Sequence, residues 1–198
     1  DKARVPIIKF VDAQSGVPVD ICLEETSGLQ SSVLARKAAR RFPAYRVLVL
    51  FFKRWLNARG LHETFSGGVG SYLLQLMVIC SLQHPPREQP RYASLRGNLG
   101  SALLHLLEMF GLRFNYEVVG FSVREGGSYF PKGRKGWRYK DRLGLLAAEN
   151  PLDLEHDVGA NSYNIANVRR ALSHGYFALV SALDAADTKG GGEGGGGG

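Results

Sequence analysis

Cysteine is scarce in this chain: Cys22 and Cys80 are the two in 198 residues. Both lie in apolar runs, so they read as small core side chains of a protein in a reducing compartment. A disulfide framework or a cysteine-rich metal cluster is not expected. Long apolar runs are missing too. The longest uncharged one, Val69 to Leu82, is too short and too interrupted to span a bilayer. No signal-peptide pattern opens the chain, and no internal repeat is found. Negative charge is in short supply, with 18 Asp+Glu against 25 Lys+Arg, a net charge of +7 and a pI near 9.6. That balance favours a polyanionic partner such as RNA, DNA or a nucleotide, although only weakly, since many basic proteins bind none. At 44% hydrophobic the chain can fill one good core, shared between one domain and a piece of another.

The most informative stretch runs from Phe65 to Gln83, FSGGVGSYLLQLMVICSLQ. Its first part, Ser66 to Gly70, holds three glycines, and each would cost a helix interior about 1 kcal/mol relative to Ala. The rest carries no charge and is apolar on nearly all sides, which predicts a helix buried in a core. Ser71 and Tyr72 fall in its first turn, where free backbone N–H groups and the positive end of the helix dipole favour an anion. Two readings stand: a phosphate or nucleotide site, or a flexible turn with a serine cap.

The elements around it can be placed in order. Ala3 to Asp12 and Val17 to Leu23 read as two paired strands across a Ser15-Gly16 turn. In the second, Asp20 alternates against Val19 and Ile21 and is either an edge residue facing water or a metal ligand at a sheet rim. A helix from Gln30 ends at Pro43. A stronger one spans Ala44 to Arg59, closed by Gly60, with Val47, Leu48, Phe51, Phe52, Trp55 and Leu56 on its apolar face. Lys53 interrupts that face; it either snorkels to water or reaches a triphosphate. After a proline-rich connection, His84 to Arg91, Asn98 to Leu112 reads as a helix with His105 as a satisfied core or boundary histidine. A hairpin is expected over Glu125-Gly126-Gly127. Lys132 to Arg142, KGRKGWRYKDR, is either a phosphate-and-base-stacking surface or a solvated loop. Leu143 to Ala148 resumes a strand-like run. Glu149 to Tyr163 reads as an irregular polar loop, Tyr163 to Ala186 as the last helix, and residues 187–198 as a glycine-rich disordered tail.

VPVDICL, LVLFFKRWLNARGL, FSGGVGSYLLQLMV and NPLDLEHDVG fall in that order, with Lys53 33 residues after Asp20 and Ser71 18 after Lys53. Together they resemble the terminal RNA nucleotidyltransferases of the DNA polymerase β-like superfamily, above all the nuclear poly(A) RNA polymerases of TRAMP-type complexes. The resemblance covers roughly Val5 to Leu183. It implies an α+β, mostly α fold. Residues 1–26 would be the last strands of a palm nucleotidyltransferase domain, and 27–186 the helical central, PAP-associated domain. It implies that Asp20 is the third carboxylate of a triad holding two Mg²⁺ ions, with Mn²⁺ as the alternative. Gly28 resembles the glycine that lets backbone approach the nucleotide, and Lys53 the lysine that neutralises the triphosphate. Ser71 resembles the phosphate-bonding serine and Tyr72 the base-stacking tyrosine.

The departures matter as well. In that family the Gly-Ser motif and the Asp-x-Asp pair precede the strand that opens this chain, and no Asp-x-Asp pair occurs in this sequence. The resemblance therefore implies a fragment whose first catalytic motif lies upstream. His156 stands where adenylating members carry Asn and uridylating members tend to carry His, and Ala160 stands where adenylating members carry Arg. The expected function is addition of AMP, or alternatively UMP, to RNA 3′ ends in RNA surveillance and decay, in the nucleus or alternatively the cytoplasm. The expected partners are RNA, ATP or UTP, a zinc-knuckle RNA-binding protein and an RNA helicase. The fragment by itself is expected to be inactive. The alternative is a catalytically dead relative that binds RNA or protein.

Overall fold

The computed structural model describes residues 7–22, 27–85 and 98–190. Two β-branched runs form an antiparallel ribbon, β1 (Ile7–Val11) and β2 (Pro18–Cys22), with Lys9 opposite Asp20. The turn between them is tied by Asp12, whose carboxylate accepts from the Ser15 backbone and hydroxyl. Ile8, Phe10 and Ile21 all stay substantially exposed. A two-stranded ribbon of this kind is marginal until something covers it.

The helical body follows. α1 (Ser27–Arg41) buries Ala38 and packs Leu34 and Ala35 on the core, and Pro43 prevents its continuation. α2 (Tyr45–Asn57) buries Tyr45, Leu48, Phe52 and Leu56, a three-and-four stripe. The expectation that Val47 and Phe51 share that stripe is corrected: both flank it and are exposed, with Leu50 beside them. Gly60, at φ +65, turns the chain out of the helix. α3 (Ser71–Gln83) buries every residue from Leu76 to Leu82 and is the central post of the domain. α4 (Leu99–Glu108) starts at Asn98, whose side chain caps the Ser101 N–H. It passes into a π-helical turn, Met109–Arg113. Gly111 there lies against the backbone of Leu172 and Ser173, and an added Cβ would collide with it. α5 (Ile165–Gly190) packs along that turn through Ile165, Val168 and Leu172. Residues 187–190 thus continue a helix, where a tail is expected from composition; 191–198 lie outside the described residues.

A four-stranded sheet, in the order β4-β3-β5-β6, closes the other end. Its strands are β3 (Val119–Ser122), β4 (Ser128–Pro131), β5 (Ala147–Asn150) and β6 (Asp153–Asp157). The hairpin over Glu125-Gly126-Gly127 is as expected. The irregular loop expected from Glu149 onward is instead the end of β5 and the whole of β6, paired antiparallel.

The basic segment also differs from its surface reading. Lys132 is 1% exposed, and its ammonium donates to the carbonyls of Tyr116 (2.6 Å), Leu143 (3.2 Å) and Leu145 (2.6 Å). Trp137 is buried edge-on to Phe130, with the Lys135 ammonium 4.9 Å from its ring. Arg134, Arg138 and Lys140 remain at the surface. Lys132 and Trp137 are therefore joints of the fold, because three carbonyls at the sheet edge need a donor and the indole is taken into the hydrophobic contact.

Candidate functional site

The chain between α2 and α3 folds back on itself. Val69 N–H bonds the Leu61 carbonyl (2.9 Å) and Gly68 N–H bonds the Glu63 carbonyl (2.9 Å). Gly68 sits where a Cβ would strike the Leu61 carbonyl, and Gly67, at φ +73, sits under the Tyr163 ring. The glycines thus admit the protein's own backbone and an aromatic ring. The Tyr163 hydroxyl donates to the Phe65 carbonyl (2.6 Å), and Asn164 N–H bonds the Gly67 carbonyl (2.9 Å), which ties the loop to the start of α5. Phe65 itself is 95% exposed.

This loop delivers Gly70 as the N-cap of α3, with no side chain capping the helix. The serine-cap reading of Ser71 is therefore corrected. The Ser71 hydroxyl lies 3.2 Å from His62 Nε2 instead. The first turn of α3 faces a cavity of about 630 Å³, lined on the α2 side by Leu50, Lys53, Arg54 and Asn57 and on the loop side by His62, Glu63, Thr64, Gly70 and Ser71. Two cations, a hydroxyl and an uncapped helix N-terminus meeting at one cavity suit an anion with several oxygens. His62 is buried. Burial and the Lys53 charge hold its imidazole below the usual histidine range, against Val69 backbone and Glu63, which favour the charged ring.

Tyr72, one residue on, turns toward the sheet. Its hydroxyl donates to Asn150 Oδ1 (3.0 Å), an oxygen that also accepts the Leu152 N–H (3.1 Å). Burial pushes the Tyr72 phenol up, so it stays a neutral donor. Asn150 ends β5 and pairs with Asp153 of β6. His156 is half-buried on β6, next to Asp157, whose side chain faces inward. Asp157 Oδ1 accepts the N–H groups of Ala148 (3.0 Å) and Gly159 (2.8 Å), while Oδ2 is buried without a hydrogen-bond partner. Burial raises its carboxyl; the two amides, Lys132 and His156 pull the other way. Strand alternation then turns His156 to the opposite face from Asp157.

Of the six residues expected at the site, the structure brings Lys53 and Ser71 to one cavity. Tyr72 is joined through Asn150 to the strand pair that carries His156. Asp20 and Gly28 are not brought to them. Asp20 sits on the ribbon, half-exposed, 3.5 Å from the Lys9 ammonium. Gly28 is in the exposed first turn of α1, its carbonyl accepting from the Ser31 hydroxyl. Among the described residues no group of three or more His, Cys, Asp or Glu side chains could hold a metal ion. One carboxylate already paired with an ammonium does not by itself fit a Mg²⁺ site. Sequence reasoning missed His62, Asn150 and Asp157. His62 could have been suspected from its place nine residues before Ser71, across a glycine loop. Asn150 and Asp157 could not, because the β5–β6 pairing was unrecognised.

Residues 98–156 match the model of the Cid1 family poly A polymerase. The chain is 37% identical over 181 residues to poly(A) RNA polymerase cid14 of Schizosaccharomyces pombe, covering 91% of this chain and 26% of that protein. It is 32% identical over 197 residues to the inactive non-canonical poly(A) RNA polymerase protein Trf4-2 of Drosophila melanogaster, covering 96% of this chain and 47% of that one. The fold superposes on the polymerase core of TRAMP, an RNA surveillance complex, with a TM-score of 0.79 and 30% identity over 91% of this chain and 57% of the other. The chain thus spans about a quarter of the length of cid14.

Proposed function

From a chain that belongs to the Cid1-type poly(A) RNA polymerase family, we infer the nucleotide-binding half of an enzyme that adds nucleotides to RNA 3′ ends. The observation that carries this is the cavity where Lys53 and Arg54 of α2 face Ser71 and the uncapped N-terminus of α3. The triphosphate lies there, its charge met by Lys53 and the helix dipole. The base stacks on Tyr72, which Asn150 holds, and its edge is read from β6 by His156. ATP is the preferred nucleotide, by likeness to poly(A) RNA polymerases, and UTP is the alternative, because histidine offers a donor to uracil O4.

The whole protein uses a divalent ion, Mg²⁺ or Mn²⁺, for which Asp20 supplies one carboxylate and residues outside this sequence the others. The β1–β2 ribbon, with both faces exposed, is the end of the palm domain that completes that site. RNA surveillance in the nucleus, with a zinc-knuckle RNA-binding protein and a helicase as partners, is the setting proposed by analogy with the TRAMP polymerase core. A second reading, a catalytically dead scaffold, is favoured by the likeness to an inactive relative along 96% of the chain and by the pairing of Asp20 with Lys9.

Primer extension separates them. The full-length protein should extend an RNA 3′ end with ATP and divalent metal, whereas this chain alone should not. A full-length protein that binds RNA and extends nothing leaves the scaffold reading.

A further inference from the structure

His62 has no role in the reading above, yet it is the side chain that touches Ser71. It is 8% exposed, its Nε2 is 3.2 Å from the Ser71 hydroxyl, and its Nδ1 is buried without a hydrogen-bond partner of good geometry. The charged groups facing it are Lys53 and Arg54 from α2 and Glu63 from its own loop; Ser71 faces it from α3, and the loop's other neighbour is the Tyr163 ring. A neutral imidazole with its proton on Nδ1 accepts at Nε2. The Ser71 hydroxyl then points its proton at the ring, and its donor is lost to the cavity. A protonated ring donates from Nε2 into the Ser71 oxygen, and the hydroxyl proton is free to turn to a phosphate oxygen.

We propose that His62 is a positioning residue for Ser71, and that it takes up a proton as a triphosphate enters the cavity, which turns the serine hydroxyl onto phosphate. The proposal rests on the phosphate reading of this cavity. Before binding, burial and the Lys53 charge disfavour the charged ring, against Val69 backbone and Glu63. An entering triphosphate brings several negative charges against Lys53 and Arg54, cancels their repulsion of a ring proton and adds its own attraction. The linkage has a definite sign. The ring binds more protons in the complex than in the free protein, so affinity rises as pH falls through the window between the two ring pKa values, by up to about tenfold per unit for one coupled proton.

The test uses the full-length protein and ATP without RNA, by titration calorimetry in two buffers of different ionisation enthalpy at neutral pH. Wild type should take up on the order of half a proton more than the His62→Gln variant, whose amide keeps a hydrogen bond to Ser71 but cannot titrate. Between pH 6.5 and 8, ATP affinity of wild type should weaken about 3- to 10-fold more than that of the variant, the comparison cancelling the titration of ATP itself. Should His62→Gln fail to fold, the His62 ring resonance of wild type, followed by NMR with and without ATP, gives the same answer through a rise in its titration midpoint. ATP binding that is lost in Lys53→Ala but carries no extra proton and no midpoint rise overturns the proposal and leaves the phosphate site standing. No ATP binding by wild type overturns both.

Discussion

Replacing Lys132 by methionine should destabilise the domain by about 2–4 kcal/mol, although Lys132 opens the most basic stretch of the sequence. Its ammonium makes three hydrogen bonds to carbonyls, two of them at 2.6 Å, and the side chain is 1% exposed. Hydrogen bonds to a charged group contribute roughly 1.5–3 kcal/mol each, so losing three sets an upper bound of about 4.5–9 kcal/mol. Removing the charge also removes its desolvation penalty, which is several kcal/mol for a buried ion. Methionine fills most of the space, so little cavity cost is added. The difference leaves the net figure above, and it falls on the joint that holds Leu145 just ahead of β5. Urea unfolding followed by tryptophan fluorescence, to which buried Trp137 contributes, measures it directly. A surface lysine would change stability by no more than about 0.5 kcal/mol. A Lys132→Met midpoint that corresponds to less than that would show that the three carbonyls find other partners, and the buried-joint argument would be wrong.

Three further outcomes are expected. If the full-length protein extends RNA as proposed, Lys53→Ala in it should raise the nucleotide KM or lower kcat by at least about tenfold, near 1.4 kcal/mol, with the fold intact; unchanged kinetics would return Lys53 to a solvated helix position. His156→Asn should shift the ATP-to-UTP ratio of kcat/KM toward ATP by about 5- to 100-fold, from roughly 1–3 kcal/mol for one unpaired polar group. Measured on one RNA primer, a ratio that stays put or moves toward UTP removes His156 from the base pocket. Burial raises the Asp157 carboxyl above its ordinary 3.8, so its proton prefers the folded state. That contribution is present at low pH and is lost as pH rises through the raised folded value. Asp157→Asn should flatten that slope in urea midpoints taken between pH 4 and 7. Asp157→Ala should cost about 2 kcal/mol by stranding the Ala148 and Gly159 amides, and equal stability of the two variants would contradict this account.

Much of this protein was legible from pattern alone. The uncharged run from Leu73 to Leu82 could only be a buried helix, since no exposed face can be drawn on it. Pro43, Gly60 and Asn98 mark helix ends because their backbone or capping chemistry acts within a few residues. Motif order and spacing carried a resemblance that put Lys53 and Ser71 at one site, and the structure lines one cavity with both. Tertiary structure decided what local pattern cannot carry. Lys132 and Trp137 look like surface chemistry in sequence, and only the three converging carbonyls and the Phe130 ring make them buried joints. Glu149 to Asp157 is too polar to announce strands, and only pairing with β3 through β5 makes it a sheet edge. The glycines of the Ser66–Gly70 loop suggested a ligand's approach, but the close neighbours turned out to be the Leu61 carbonyl and the Tyr163 ring. His62 reaches Ser71 because that loop closes on itself, a contact between residues nine apart that no helical or strand period encodes.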